Sequence, residues 1–265
     1  MPGKALWIMI AAVGSVVIIG VAEFYIISSL LVPSSASQPS TTSPSLTSPV
    51  STDLNWGGYA VASDFNNPLP VVTSVSSSWV VPAVQASQTD SFSAVWVGIG
   101  GTFGNTLIQT GTEQDCIGGE IFYSAWFELL PRDSVTITTV NISPGDVINA
   151  SITLVDSNLN SWQISLGDLT NGQSFSQNVF YASSQLSAEW IIERPTVDNV
   201  LSALANFGTV SFSNCKTTVE SCPGTAGQFS NIQNVMTDRQ GATLAEASNL
   251  SSDGSSFSVK YLQSQ

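Results

Sequence analysis

Histidine is absent from this chain, and that absence excludes more than anything else the sequence lacks. Without an imidazole there is no Ser-His-Asp or Cys-His pairing of nucleophile with base, and no His-containing zinc site. Neither a DTG nor a DSG tripeptide occurs, so the signature of a paired-aspartate protease is missing as well. There is also no G-x-x-x-x-G-K-[ST] phosphate loop and no EF-hand loop. Charge is scarce. Only 9% of the 265 residues are charged, against about a quarter in ordinary soluble domains. Nineteen acidic and 6 basic residues leave a net charge of −13. Such a chain does not bind nucleic acid, which needs Lys and Arg to neutralise phosphates, and it offers no basic patch to anionic lipid. Any chemistry falls to carboxylates and amides, with no cofactor or metal implied. An uncharged polar surface avoids self-repulsion in acid, which suits an acidic workplace; an exported, adhesin-like surface would have the same composition.

Three cysteines are present. Cys215 and Cys222 lie in the loop-like stretch NCKTTVESC and could close a small disulfide in an oxidising compartment, leaving Cys116 over. Three unpaired thiols are the alternative. From Ala5 to Ala22 the chain is uninterruptedly apolar or small, and after Glu23 it resumes as FYIISSLLV. That length reaches what a bilayer span needs, and Lys4 favours a cytoplasmic start with the remainder outside. Residues 1–32 therefore read as a hydrophobic signal-anchor helix, or as a signal peptide cleaved near Ser34-Ser35-Ala36. Either way the rest is extracellular, secreted or tethered to the outer face of the membrane. Residues 33–53 are rich in Ser, Thr and Pro and read as an extended stalk. The folded domain is expected over 54–265. Sequons at Asn141, Asn149 and Asn249 permit glycosylation.

Within 54–265, short runs of β-branched and aromatic residues alternate with Gly, Pro, Asn and Asp, as in FSAVWVGIG, GEIFYSAWFEL and DVINASITLV. Sustained helical periodicity is absent, so the pattern predicts an all-β sandwich or barrel. Because side chains alternate across a sheet, each strand also declares its faces. Val95, Val97 and Ile99 share one face, and Trp96 and Gly98 the other. Ala125, Phe127 and Leu129 oppose Ser124, Trp126 and Glu128; Gln109 opposes Ile108; Glu189 and Glu193 oppose Trp190 and Ile192. If these strands are neighbours, the second faces combine into an aromatic and polar groove suited to an extended chain.

The segments NWGGYAV, WVVP, WVGIGG with LIQTG, YSAWFELLP, ISPGDVI, LTNGQS, SAEWIIERP and NFGTVSF, in that order, resemble the glutamic peptidases, or eqolisins. The resemblance covers essentially all of 54–265 and implies an antiparallel sandwich of two curved sheets. It also implies an endopeptidase active in acid, acting on polypeptides. The family's catalytic Gln and Glu fall on Gln109 and Glu189. An ionised Glu189 would be the general base toward water, and the Gln109 amide would donate to the developing oxyanion. Trp56, Trp96, Trp126 and Glu128 match positions that line the family's substrate groove, and Glu193 matches a further carboxylate. Taken singly, each of these residues is also explained by strand packing or solvent exposure. The chain departs from the family at Ile99-Gly100-Gly101, where I-D-G is usual, at Ser124 in place of a carboxylate, and at Leu129-Leu130, where an aromatic is usual. Two other functions fit parts of the pattern: a non-catalytic carbohydrate-binding sandwich that uses the tryptophans, and a glycoside hydrolase that pairs Glu128 with Glu189. A monomer is expected.

Overall fold

β-Branched and aromatic side chains fit a pleated surface with one face buried, and in this chain such runs become strands wherever Gly, Pro or Asn stops them. The computed structural model describes residues 48–264. In chain order the strands are β1 (Val50–Asp53), β2 (Trp56–Ala62), β3 (Val72–Val80), β4 (Ser91–Ile99), β5 (Ile108–Ile117), β6 (Glu120–Leu129) and β7 (Val135–Thr136). Next come β8 (Val147–Asp156), β9 (Ser161–Asp168), β10 (Ser174–Phe180), β11 (Ser187–Glu193), β12 (Thr196–Val197), β13 (Val200–Leu201) and β14 (Ala203–Leu204). Then follow β15 (Thr209–Val219), β16 (Cys222–Thr225), β17 (Ser230–Thr237), β18 (Thr243–Ala247) and β19 (Phe257–Tyr261). Helix among the described residues is limited to one 3-10 turn, Ala226–Gln228.

Apart from the separate β12–β13 ribbon, the strands form two layers. One runs β1-β17-β2-β11-β4-β5-β6-β7. The other runs β18-β19-β15-β3-β8-β9-β10. Strand β17 also pairs with β18, so the layers join along one edge. Every pairing is antiparallel except β1 with β17 and β14 with β4. The all-β expectation holds, and the layers enclose one core that includes Trp79, Trp162, Trp190, Ile99, Ile148 and Phe212. Each such side chain contributes about 1.5–3 kcal/mol by leaving water. The three core indoles also keep their donors satisfied: Trp79 Nε1 donates to Thr112 Oγ1, Trp162 Nε1 to the Tyr181 carbonyl and Trp190 Nε1 to the Ser76 carbonyl.

Three expectations meet the structure differently. The N-terminal hydrophobic helix over 1–32 lies outside the described residues, among which no helix is long and apolar enough to cross a membrane. Val50–Asp53, inside the Ser/Thr/Pro-rich segment, forms β1, because its backbone finds parallel partners at Gln233–Met236. The Cys215–Cys222 disulfide is not formed. The β15–β16 pairing sets Cys222 opposite Val219, not Cys215. Cys215 points inward, 3.5 Å from Ser77 Oγ, while Cys222 is exposed.

Candidate active site

The outer face of the first layer carries the groove residues, and strand register aligns them in rows. Glu189 on β11 stands opposite Gly98 on β4, Gly98 opposite Gln109 on β5, and Gln109 opposite Glu128 on β6. The next row is Ile191, Trp96, Gly111 and Trp126. The third joins Trp56 on β2 to Glu193, Ala94, Glu113 and Ser124. Two inter-strand spacings separate Glu189 from Gln109, about 10 Å between Cα atoms. Gly98 sits between them because a Cβ there would lie 2.8 Å from both Leu107 Cδ1 and Trp96 Cζ3. Its bareness lets those apolar groups close onto the backbone between the two polar residues.

Each member of the pair is hydrogen-bonded through one side-chain atom, while another is buried without a partner. Glu189 is fully buried, and its Oε1 accepts from Thr102 N at 3.1 Å and from Thr102 Oγ1 at 2.9 Å. Its Oε2 has no partner. Burial pushes this carboxyl from the ordinary 4.5 up to about 7, against the pull of hydrogen bonds from Ser187, Thr102 and Gly101. Gln109 donates from Nε2 to Glu128 Oε2 at 2.5 Å, while its buried Oε1 is unpartnered. Burial raises the Glu128 carboxyl too, partly offset by the Gln109 donor. A buried polar atom without a partner is uncommon enough to call for a role, and here two of them flank Gly98.

The tryptophans take unequal places. Trp56, Trp126, Gln109, Glu128 and Glu193 line a cavity of about 410 Å³, together with Leu107 and the Pro195–Val197 stretch. Trp96 is fully buried beneath them and meets Trp56 edge-on, with ring centroids 5.0 Å apart. Its Nε1 donates to Glu193 Oε2 at 2.8 Å, and Asn55 Nδ2 donates to Glu193 Oε1 at 3.1 Å. Burial carries Glu193 up to about 7. Glu193 is thus a hydrogen-bonded part of the groove wall. Glu189 does not line this cavity; its carboxylate is held by Thr102. Trp126 Nε1 is buried and unpartnered. Thr102, Asn55 and Leu107 escaped the sequence reading. The only sign of Thr102 was the Gly100-Gly101 turn that delivers it.

A family model described as the Peptidase A4 family matches residues 54–261. Aspergillopepsin-2 of Aspergillus niger is 30% identical over 188 residues, which is 62% of this chain and 64% of that protein. Scytalidopepsin B of Scytalidium lignicola is 33% identical over 147 residues, 53% of this chain and 52% of that protein. The chain therefore spans less than two thirds of the length of either relative. Among solved structures, scytalido-glutamic peptidase with a transition state analog inhibitor superposes with a TM-score of 0.65 at 26% identity. That match covers 79% of this chain and 99% of the other. The aspergilloglutamic peptidase from Aspergillus niger gives a TM-score of 0.57 at 28% identity, over 65% and 99% respectively.

Proposed function

Because the chain belongs to the Peptidase A4 family, we propose that it is a glutamic endopeptidase in which Glu189 is the general base and Gln109 the oxyanion donor. The observation that carries this reading is the row Glu189-Gly98-Gln109, with an unpartnered oxygen on each polar member. Two such side chains on one face, about 10 Å apart at their Cα atoms, can share a water between them. Glu189 Oε2 takes a proton from that water as its oxygen bonds to the scissile carbonyl carbon. The carbonyl electron pair moves onto oxygen and meets the Gln109 Nε2 hydrogen that Glu128 does not use. Glu189 then passes its proton to the leaving nitrogen, and the C–N bond breaks. Glu128 holds the Gln109 amide in the orientation this requires. That engagement, with three strand spacings separating Glu128 from Glu189, argues against a two-carboxylate glycosidase.

The general base must be ionised to start the cycle. With its carboxyl carried toward about 7 by burial, the fraction of active enzyme falls as pH drops below that value. The acid limb of kcat/KM is therefore expected above the ordinary glutamate value of 4.5, with activity rising from acid toward about pH 7. Replacing Glu189 by Gln should abolish cleavage of a denatured protein substrate. Replacing Gln109 by Ala should lower kcat by about 10²–10³-fold, with unchanged near-UV circular dichroism. Retained activity in either folded variant would overturn the assignment.

A further inference from the structure

The turn after β4 leaves the sheet, yet it is fastened to the strand that carries Glu189. Gly100 N donates to the Ser187 carbonyl at 2.9 Å, Ser184 Oγ donates to the Gly100 carbonyl at 3.2 Å, and Thr102 N reaches Ser187 Oγ at 3.3 Å. The turn closes with both the N–H and the hydroxyl of Thr102 on Glu189 Oε1. The family's usual carboxylate after W-V-G-I has no counterpart, because position 100 is a glycine with φ +105°. A Cβ there would meet Ser184 Oγ and the Thr106 carbonyl at 2.8 Å. The groups facing Glu189 across the sheet are Ala60 on β2 and Gly98 on β4, neither of them charged. The other carboxyls on this sheet face are Glu193 along the same strand, Glu128 beyond Gln109, and Glu113 in the Glu193 row. Thr102 is thus a half-buried residue with two donors on the base, where no neighbouring charge sets the state of that base.

We propose that Thr102 is a positioning residue that fixes the direction of the Glu189 carboxyl and favours its ionised form. Two donors converging on Oε1 leave the unpartnered Oε2 as the oxygen free to take a proton. A hydrogen bond to the charged form stabilises that form over the neutral acid, so the hydroxyl draws the carboxyl back toward acid against the push of burial. The proposal rests on Glu189 acting as the base, and two readouts separate the claims.

The test compares Thr102→Val, which removes the hydroxyl and keeps the N–H, with Thr102→Ser, which keeps both donors. The Glu189 carboxyl is titrated by ¹³C NMR in the full chain, with its signal assigned by its loss in Glu189→Gln. Thr102→Val should raise the midpoint by about one pH unit, the size expected of one hydrogen bond to a charged group. The acid limb of kcat/KM should move by the same amount, with about a tenfold loss well below the midpoint, and Thr102→Ser should restore both. Should the valine variant fail to fold, Thr102→Ala serves the same comparison without a branched side chain. An unmoved midpoint, or a serine variant as impaired as the valine, overturns the role of Thr102. A midpoint that moves while the activity limb stays still leaves Thr102 tuning Glu189 but removes Glu189 as the base, and the catalytic part of the proposal falls with it.

Discussion

Gly111 allows a close contact on which the groove floor depends. It stands between Trp96 on β4 and Trp126 on β6, and a Cβ on it would lie 2.1 Å from the Val95 carbonyl oxygen. The same atom would be 2.6 Å from Trp96 Cβ and 2.8 Å from Trp96 Cα. Two of these three neighbours are backbone, so no rotamer change relieves the clash, and β4 and β5 would have to part locally. Overpacking of this kind costs about 1–3 kcal/mol, and displaced backbone puts Gly111→Ala at the upper end. At about 2–4 °C per kcal/mol for a domain of this size, Tm should fall by roughly 6–12 °C. Gln109 lies two residues away on the same strand, and a shift of about 1 Å there should lower kcat/KM on the order of 10²-fold. Gly104→Ala is the control. No atom lies within 4 Å of its Cβ, so the change should be neutral or slightly stabilising, by up to about 1 kcal/mol. Thermal melts in mild acid followed by near-UV circular dichroism compare the two. A Gly111→Ala protein melting within about 2 °C of the control, with activity intact, would refute the steric argument.

Two further outcomes concern protons and thiols. The buried carboxyls of Asp146 and Asp168 are in hydrogen-bond contact, and no Lys or Arg occurs between Asp133 and Glu193. Burial, then the charge of Asp168, raises the Asp146 carboxyl above its ordinary 3.8. The folded state therefore keeps a proton that the unfolded chain releases, so this stability is complete in acid and declines as pH rises from about 4 through the raised value. Asp115, pushed up to about 8 by burial and by Glu113, acts in the same sense. Asp146→Asn should flatten the decline of Tm between pH 4 and 8, and an unaltered slope would count against a raised Asp146 carboxyl. For the thiols, Cys222 alone is exposed, while burial carries Cys215 up to about 12. The native protein should release one equivalent with a thiol reagent, and reductant should leave Tm unchanged; no reactive thiol, or a drop in Tm, would point to a disulfide after all.

The faces of the sheet were legible in the sequence because alternation is local: Val95 and Trp96 part company within one residue, whatever strand lies beside them. The separation of Gln109 and Glu189 from the core followed in the same way. Their adjacency did not, because β11 comes between β2 and β4 through pairings distant along the chain; only the resemblance to a known family joined the two residues. Glu193 shows the limit of reading a residue singly. A solvated carboxylate was a fair description until Trp96 and Asn55 closed on it. Thr102 carried no periodic signal, since it acts from a turn whose direction depends on contacts with Ser184 and Ser187. Strand β1 was hidden by the Ser/Thr/Pro composition around it, and its order comes from backbone pairing with β17 rather than from apolar burial.

The most direct test of the account is cleavage of an acid-denatured protein across pH 3 to 7, by the wild-type chain and by Glu189→Gln side by side, with products read by mass spectrometry. The account predicts internal cleavage by the wild type that weakens toward pH 3, and none by the variant at any pH. Equal cleavage by a folded Glu189→Gln protein would contradict it.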